Sequence, residues 1–265
     1  MTSRHRIASW PLVATLLSAA PYIVVAQDEA LTLGIAAMQR HDNGTARSYL
    51  EQALRDQPDS YQANWRLGLV LVEIGQLTPD DVKSPARDSL YALAESYARR
   101  AVAVNPAGAD GHFVLGTAVG RTSLTLSTKE RIRRAAEIFA EAHTALRLDS
   151  GHDGAYHLLG RWHAEIMRLS SLQEFFARNF LGAAIFDQAS WDAAEHNLRI
   201  AVAYAPNRIF HRLDLAEILA DRAKWRDARL QVDSIAVMPP QEPMDVIYRR
   251  QARTLGLRIA AKLQP

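Results

Sequence analysis

Residues 33–58 read LGIAAMQRHDNGTARSYLEQALRDQP, and this stretch decides the fold. Leu33-Gly34 is answered downstream by Ala46, Leu50, Ala53 and Pro58, at steps of 4, 3 and 5. Steps of 3 and 4 keep side chains on one helix face, and small residues there let a second helix approach closely. A proline after the last turn cannot continue the helix. The stretch therefore predicts two helices packed on each other, with a stop behind the second.

The pattern recurs. Leu67-Gly68, Leu115-Gly116, Leu159-Gly160 and Leu215-Ala216 are followed by Ala94, Ala98, Ala101, Pro106; Ile138, Ala142, Ala145, Ser150; Ala194, Leu198, Ala201, Pro206; and Ala228, Val232, Ile235, Pro240. The first two pairs are 34 residues apart, the helix-turn-helix period of the tetratricopeptide repeat. The expected architecture is all-α: a right-handed superhelical solenoid of about five such hairpins, with inserted helices and a C-terminal capping helix. Repeats are expected near 27–60, 61–108, 109–152, 153–208 and 209–242, with the cap at 243–264.

Composition narrows the function. The chain has no cysteine, which excludes disulfides and thiolate metal sites. Arg4 and Arg6 account for the formal net charge of +2, so residues 27–265 are balanced at 29 basic and 29 acidic side chains. The basic isoelectric point thus carries no nucleic-acid signal. Arg4, His5 and Arg6 precede an uncharged run from Ile7 to Ala26, broken by Pro11 and Pro21, and Val24-Val25-Ala26 resembles a cleavage site before Gln27. Residues 1–26 read as a signal peptide of an exported, periplasmic or secreted protein; the alternative is a membrane anchor at 7–26.

Successive Leu-Gly pairs lie 34, 48, 44 and 56 residues apart, so the second, third and fourth units carry about 14, 10 and 22 extra residues between their helices. The expected insertions are Gln76 to Leu93, Thr122 to Arg134, and 166–190. The second has Ser127 with Glu130 three residues later, a helix-start signature. The third holds Phe175, Phe176, Phe180 and Phe186 with Leu169 and Leu172. Leu169, Leu172, Phe176 and Phe180 share a helix face, which leaves three readings: a helix covering the stack, a movable apolar lid over an elongated cavity, or membrane-surface contact, the last disfavoured because the polar face with Gln173, Glu174 and Arg178 lacks a basic stripe.

The first helices line the inner wall of such a stack, three before, one after and five after each small residue. These positions include Trp65, Leu69 and Glu73; Phe113, Thr117 and Arg121; His157, Arg161 and Glu165; and Leu213, Glu217 and Asp221. Arginine suits carboxylate or phosphate recognition because its planar fork donates paired hydrogen bonds. Arg161 and Glu165, four apart, are alternatively an internal pair. Enzyme signatures are missing: there is no HExxH, phosphate loop or nucleophile elbow. His163-Ala164-Glu165 lacks the CxxC of a zinc deaminase. The run Asp149 to Gly154 lacks the closing glutamate of a calcium loop. No catalytic residue, cofactor or metal is expected.

The stretch Ala155-Tyr156-His157-Leu158-Leu159-Gly160-Arg161-Trp162-His163, followed by Leu169-Ser170-Ser171-Leu172 and the phenylalanine-rich segment to Gly182, resembles the regulator of microtubule dynamics protein family and its bacterial relatives. Ser127-Thr128-Lys129-Glu130 and Ser190 fit the same pattern, and the resemblance spans roughly 60–263. It marks His157, Gly160, Arg161 and Trp162 as family positions. It also implies a repeat fold, and a lipid-binding or lipid-transfer module as an alternative, since one member of the family handles phospholipids and others associate with microtubules. The expected function is a non-enzymatic scaffold that holds an extended peptide or protein partner in its groove, with phospholipid the alternative ligand and nucleic acid not a partner.

Overall fold

The computed structural model describes residues 21–169 and 184–264. Every regular element among them is helical: α1 (Pro21–Gln39), α2 (Asn43–Asp56), α3 (Tyr61–Gln76), α4 (Pro85–Val104), α5 (Ala109–Ser123), α6 (Thr128–Leu148), α7 (Asp153–Met167), a 3-10 turn (Ala184–Gln188), α8 (Trp191–Tyr204), α9 (Ile209–Asp221), α10 (Trp225–Val237) and α11 (Asp245–Leu263). Helices pair in chain order, α1 with α2 through α9 with α10, and α11 packs on α9 and α10. Each odd-numbered helix also touches the next odd-numbered one, whereas successive even-numbered helices make no comparable contact. The odd helices are thus the crowded inner layer of a curved solenoid, and the even ones its outer layer.

The small residues sit where the hairpins close. A Cβ on Gly34 would lie 2.9 Å from Leu50 Cγ, one on Gly68 3.2 Å from the Ala94 carbonyl oxygen, and one on Gly160 2.6 Å from Leu198 Cγ. Each contact belongs to the second helix of the same unit, so the small residue and the step of 4 and 3 are two sides of one interface. Ala216 and Ala228 are fully buried in the last hairpin.

Helix ends follow from capping. The N–H groups of Gln57, Asn105, Asp149 and Ala205 donate to the carbonyls of Ala53, Ala101, Ala145 and Ala201, one residue ahead of Pro58, Pro106, Ser150 and Pro206. The hydroxyls of Ser60, Ser84, Ser127 and Ser190 accept the N–H three residues on. Asn64, His112 and Arg212, each four residues before the small residue, bond back to the carbonyls of Pro58, Pro106 and Pro206 at 2.8, 2.9 and 3.1 Å.

The inserted residues of the second and third units lie largely inside helices rather than between them. α4 has 20 residues and α6 has 21, against 14 in α2. The caps at Ser84-Pro85 and Ser127 start these helices early, leaving only residues 77–84 and 124–127 as connections. α1 runs through Gln27, where the sequence suggested processing. No described helix is long and apolar enough to cross a membrane.

Candidate functional site

The inner wall is built by α3, α5, α7 and α9, and its apolar part comes first. Trp65 is half-buried; its indole N–H donates to Gln62 Oε1 at 3.3 Å, and the Arg66 guanidinium lies 4.0 Å over its ring. Phe113 is held between repeats, its ring tilted at 48° to that of His152 with centroids 4.7 Å apart, and lies over Gly154, where a Cβ would come within 2.7 Å. Thr117, half-buried, donates its hydroxyl to the Phe113 carbonyl at 2.9 Å. Leu213, expected on the wall, is instead buried in the core against α10 and α11.

Charge on this wall is neutralised from within. Arg121 bonds Asp80 at 3.3 Å, Arg161 bonds Asp214 at 3.0 Å and Glu165 at 3.3 Å, and Arg168 bonds Asp221 at 2.6 Å and Glu165 at 2.8 Å. The pairing of Arg161 with Glu165 expected from their spacing is present, but Asp214 of α9 is its closer partner. Asp214 holds the Arg161 guanidinium charged. Burial alone would raise the Asp214 carboxyl, but Arg161 and His157 keep it well below the usual carboxylate range. Burial, then the neighbouring Asp214, pushes Glu217 up.

His157 belongs to a buried chain of polar contacts between α7 and α9. Asp153 Oδ2 lies 2.8 Å from His211 Nε2, His211 Nδ1 lies 2.9 Å from His157 Nδ1, and His157 Nε2 lies 3.1 Å from Asp214 Oδ2. Two neutral imidazoles supply two N–H groups for these three contacts, so the chain is fully hydrogen-bonded only when one ring carries an extra proton. Burial of His211, which is 0% exposed, opposes this and drives it down to about 4. Burial would also raise the Asp153 carboxyl, but its bond to His211 and the charge of Arg208 bring it to about 2.

Residues far apart in sequence act on one another's charge along this wall. Burial lifts Glu73 of α3 to about 7, with Glu242 ahead of α11 as a like-charged neighbour and Asn43 and Arg208 opposing the shift. Tyr248 of α11 is raised by burial and feels both Arg121 and Asp214. Asp214, His211, Glu242 and Tyr248 are site neighbours that reading single helices did not find.

Below the wall, Trp162 is a core residue whose indole N–H donates to the Ala135 carbonyl at 2.7 Å. It packs with Ile132 and Phe186, which is 2% exposed. Phe186 and half-buried Leu169 are the lid residues that fall in described segments; Leu172, Phe175, Phe176 and Phe180 lie outside the described residues. Among the described residues no group of three His, Asp or Glu side chains is arranged to hold a metal.

Comparison with known proteins agrees with the architecture. A thermophilic tetratricopeptide repeat protein of Thermus thermophilus, TTC0263, superposes with a TM-score of 0.64 at 17% identity, over 87% of this chain and 99% of that one. The pilF protein of Pseudomonas aeruginosa gives 0.52 at 17% identity, over 91% and 93%. A search of curated sequences finds no match. The profile described as regulator of microtubule dynamics protein 1-3 matches residues 34–258. With most of the chain matched and the hairpins in place, the protein belongs to the regulator of microtubule dynamics protein family and carries its tetratricopeptide-like repeat fold.

Proposed function

We propose that the protein is a non-catalytic scaffold that holds an extended segment of a partner protein along the wall formed by α3, α5, α7 and α9. One observation carries this reading: successive odd helices present a continuous inner wall in which Arg121, Arg161 and Arg168 are each already paired. Such a wall binds through shape, half-buried aromatic faces and backbone contacts rather than through free charge. Of the insertion's phenylalanines, Phe186 packs against Trp162 in the core and so offers no surface to a lipid. We further propose that residues 1–26 direct export, so that the partner is met outside the cytoplasm; mass spectrometry of protein secreted by an export-competent host should show a mature start near Gln27, and an unprocessed chain there would refute this.

The groove is tested by affinity capture from the native envelope fraction with three proteins: wild type, Thr117→Trp on the wall and Arg229→Glu on the outer helix α10. A partner captured by wild type and Arg229→Glu but lost with Thr117→Trp supports groove binding. Equal capture by all three places the interaction elsewhere and overturns it.

A further inference from the structure

The sequence pattern of the inner-wall helices recurs one helix beyond them, in α11. Leu255-Gly256 in α11 repeats the Leu-Gly pair 40 residues after Leu215-Ala216. Leu255 is buried like Leu67, Leu115, Leu159 and Leu215, and a Cβ on Gly256 would lie 3.1 Å from Val232 of α10. α11 packs on α10 and on α9, as earlier odd helices pack on the helix and the odd helix before them, but Gly256 faces the preceding helix whereas Gly34, Gly68 and Gly160 face the helix that follows. Three before, one after and five after Gly256 stand Arg253, Leu257 and Ala261, with Arg250 and Val246 in earlier turns of the same face.

This sixth rung differs in charge from the others. Arg250, Arg253 and Arg258 are exposed and form no ion pair among the described residues, whereas Arg121, Arg161 and Arg168 are all engaged. Apolar surface accompanies the charge, since Leu257 is 76% and Val246 66% exposed. Between α9 and α11 an open cleft of about 320 Å³ is lined by Glu217, Arg250, Gln251, Thr254, Leu255 and Arg258.

We propose that the α11 rung anchors an acidic, partly apolar segment of the partner protein. Carboxylates of that segment sit on Arg250, Arg253 and Arg258, its apolar side chains sit on Leu257 and Val246, and the remainder runs into the neutral groove. This rests on the groove reading above and adds the partner's chemistry and direction. Charge complementarity selects an acidic polypeptide over a nucleic acid: Glu165, Glu217 and Asp221 line the adjoining wall and would repel a continuous phosphate backbone, while a short acidic cluster followed by neutral residues meets only the arginines.

The test is fluorescence anisotropy on the full chain with a labelled extended peptide, half Asp and Glu and half Leu, Ala and Ser, against the same peptide with Lys in place of the acids. The acidic peptide should bind at least about tenfold more tightly, the advantage should shrink with added salt, and Arg250→Glu/Arg253→Glu should abolish it. Both side chains are exposed, and circular dichroism should show the variant folded. Binding that survives the double variant but is lost with Thr117→Trp keeps the groove and overturns the anchor. No preference for the acidic peptide also overturns the anchor. Tighter binding of a single-stranded oligonucleotide or of phosphatidylglycerol vesicles, lost in the double variant, assigns the arginines to a different partner and overturns it as well.

Discussion

The contact of α3 with α5 and that of α7 with α9 are the same contact in the repeat and differ entirely in chemistry. Five and two residues before the small residue, α5 carries Gly111 and Val114; α9 carries His211 and Asp214. In the first contact Gly111 N–H donates to the Tyr61 hydroxyl at 3.0 Å, and Val114 Cγ1 lies where a Cβ on Gly68 would meet it at 3.1 Å. In the second, the same space holds the chain Asp153, His211, His157, Asp214 and Arg161. The repeat fixes where two helices meet but not what joins them. An apolar contact tolerates small changes in fit, while a buried polar chain is satisfied only if every member is present.

That difference is broken most directly at Asp214. Asp214→Ala leaves Arg161 with only the exposed Glu165 and His157 with no carboxylate, and removing one partner of a largely buried pair is costly. The expected loss is about 3 kcal/mol in chemical denaturation, reduced from the fully buried figure because Arg161 is partly exposed. Val114→Ala at the matching place removes two methyl groups and should cost about 1–2 kcal/mol. Equal losses would show that the polar chain is not the stronger determinant. Lowering the pH from 6.5 toward 4 should act in the same direction as Asp214→Ala: His211 is held neutral in the fold, so stability is full above its unfolded value and declines as protons bind the unfolded chain first.

The next effect concerns a carboxylate with no cation of its own. Glu73 is raised from 4.5 to about 7, so the folded state binds the proton more tightly than the unfolded state. Stability from this group is present below 4.5 and declines as pH rises toward 7. Glu73→Gln should therefore stabilise the protein at pH 8 by about 1–3 kcal/mol and leave it nearly unchanged at pH 4. The reverse pH order in thermal denaturation would rule out a protonated Glu73 in the fold.

A smaller comparison uses glycines that close two hairpins. A Cβ on Gly68 would meet Val114 at 3.1 Å and the Ala94 carbonyl at 3.2 Å, whereas one on Gly160 would meet Leu198 Cγ at 2.6 Å. Alanine is intrinsically better than glycine in a helix by about 1 kcal/mol, so Gly68→Ala should be close to neutral. Gly160→Ala should cost about 1–3 kcal/mol through displacement of a branch carbon in a filled core. A Gly160→Ala protein as stable as Gly68→Ala would show that the α7–α8 hairpin has more slack than its distances suggest.

The fold was legible because its signals are local. Each Leu-Gly pair, each step of 4, 3 and 5, and each serine before a helix reports on neighbours within one or two turns. The charges of the wall were legible as residues but not as partners. Arg161 with Glu165 is visible at four residues' separation; Arg161 with Asp214 spans 53. The alignment of the units carries part of the signal: His211 stands where Ala63, Gly111 and Ala155 stand, whereas Asp214 shares its position with Thr32 and Arg66 as well as with Val114 and Leu158. A titratable ring in a column of mostly small residues implies a partner across the contact, and that signal points to His211 rather than to Asp214. The influence of Glu242 on Glu73 left no such trace, since it acts between segments far apart in the chain. The insertions were located by spacing, but whether they lengthen helices or connections depends on where a cap forms.

The last prediction asks whether the polar chain supplies stability or only selects a unique arrangement. Buried ion pairs replaced together by apolar groups of similar size are often neutral or stabilising, because desolvation of both charges is avoided. Arg161→Leu/Asp214→Val would give α9 the residue type that α5 has at the equivalent place, and would leave His157 to bond His211 alone. In equilibrium denaturation the double variant should lie within about 1 kcal/mol of wild type, far above the Asp214→Ala single variant. A double variant as unstable as the single would mean that the pair is a net source of stability, and that the two contacts differ in strength as well as in kind. A stable double variant with broadened amide resonances along α7 and α9 would place the role of the chain in fixing the register of the two helices, which the α3–α5 contact achieves by the fit of Val114 against Gly68.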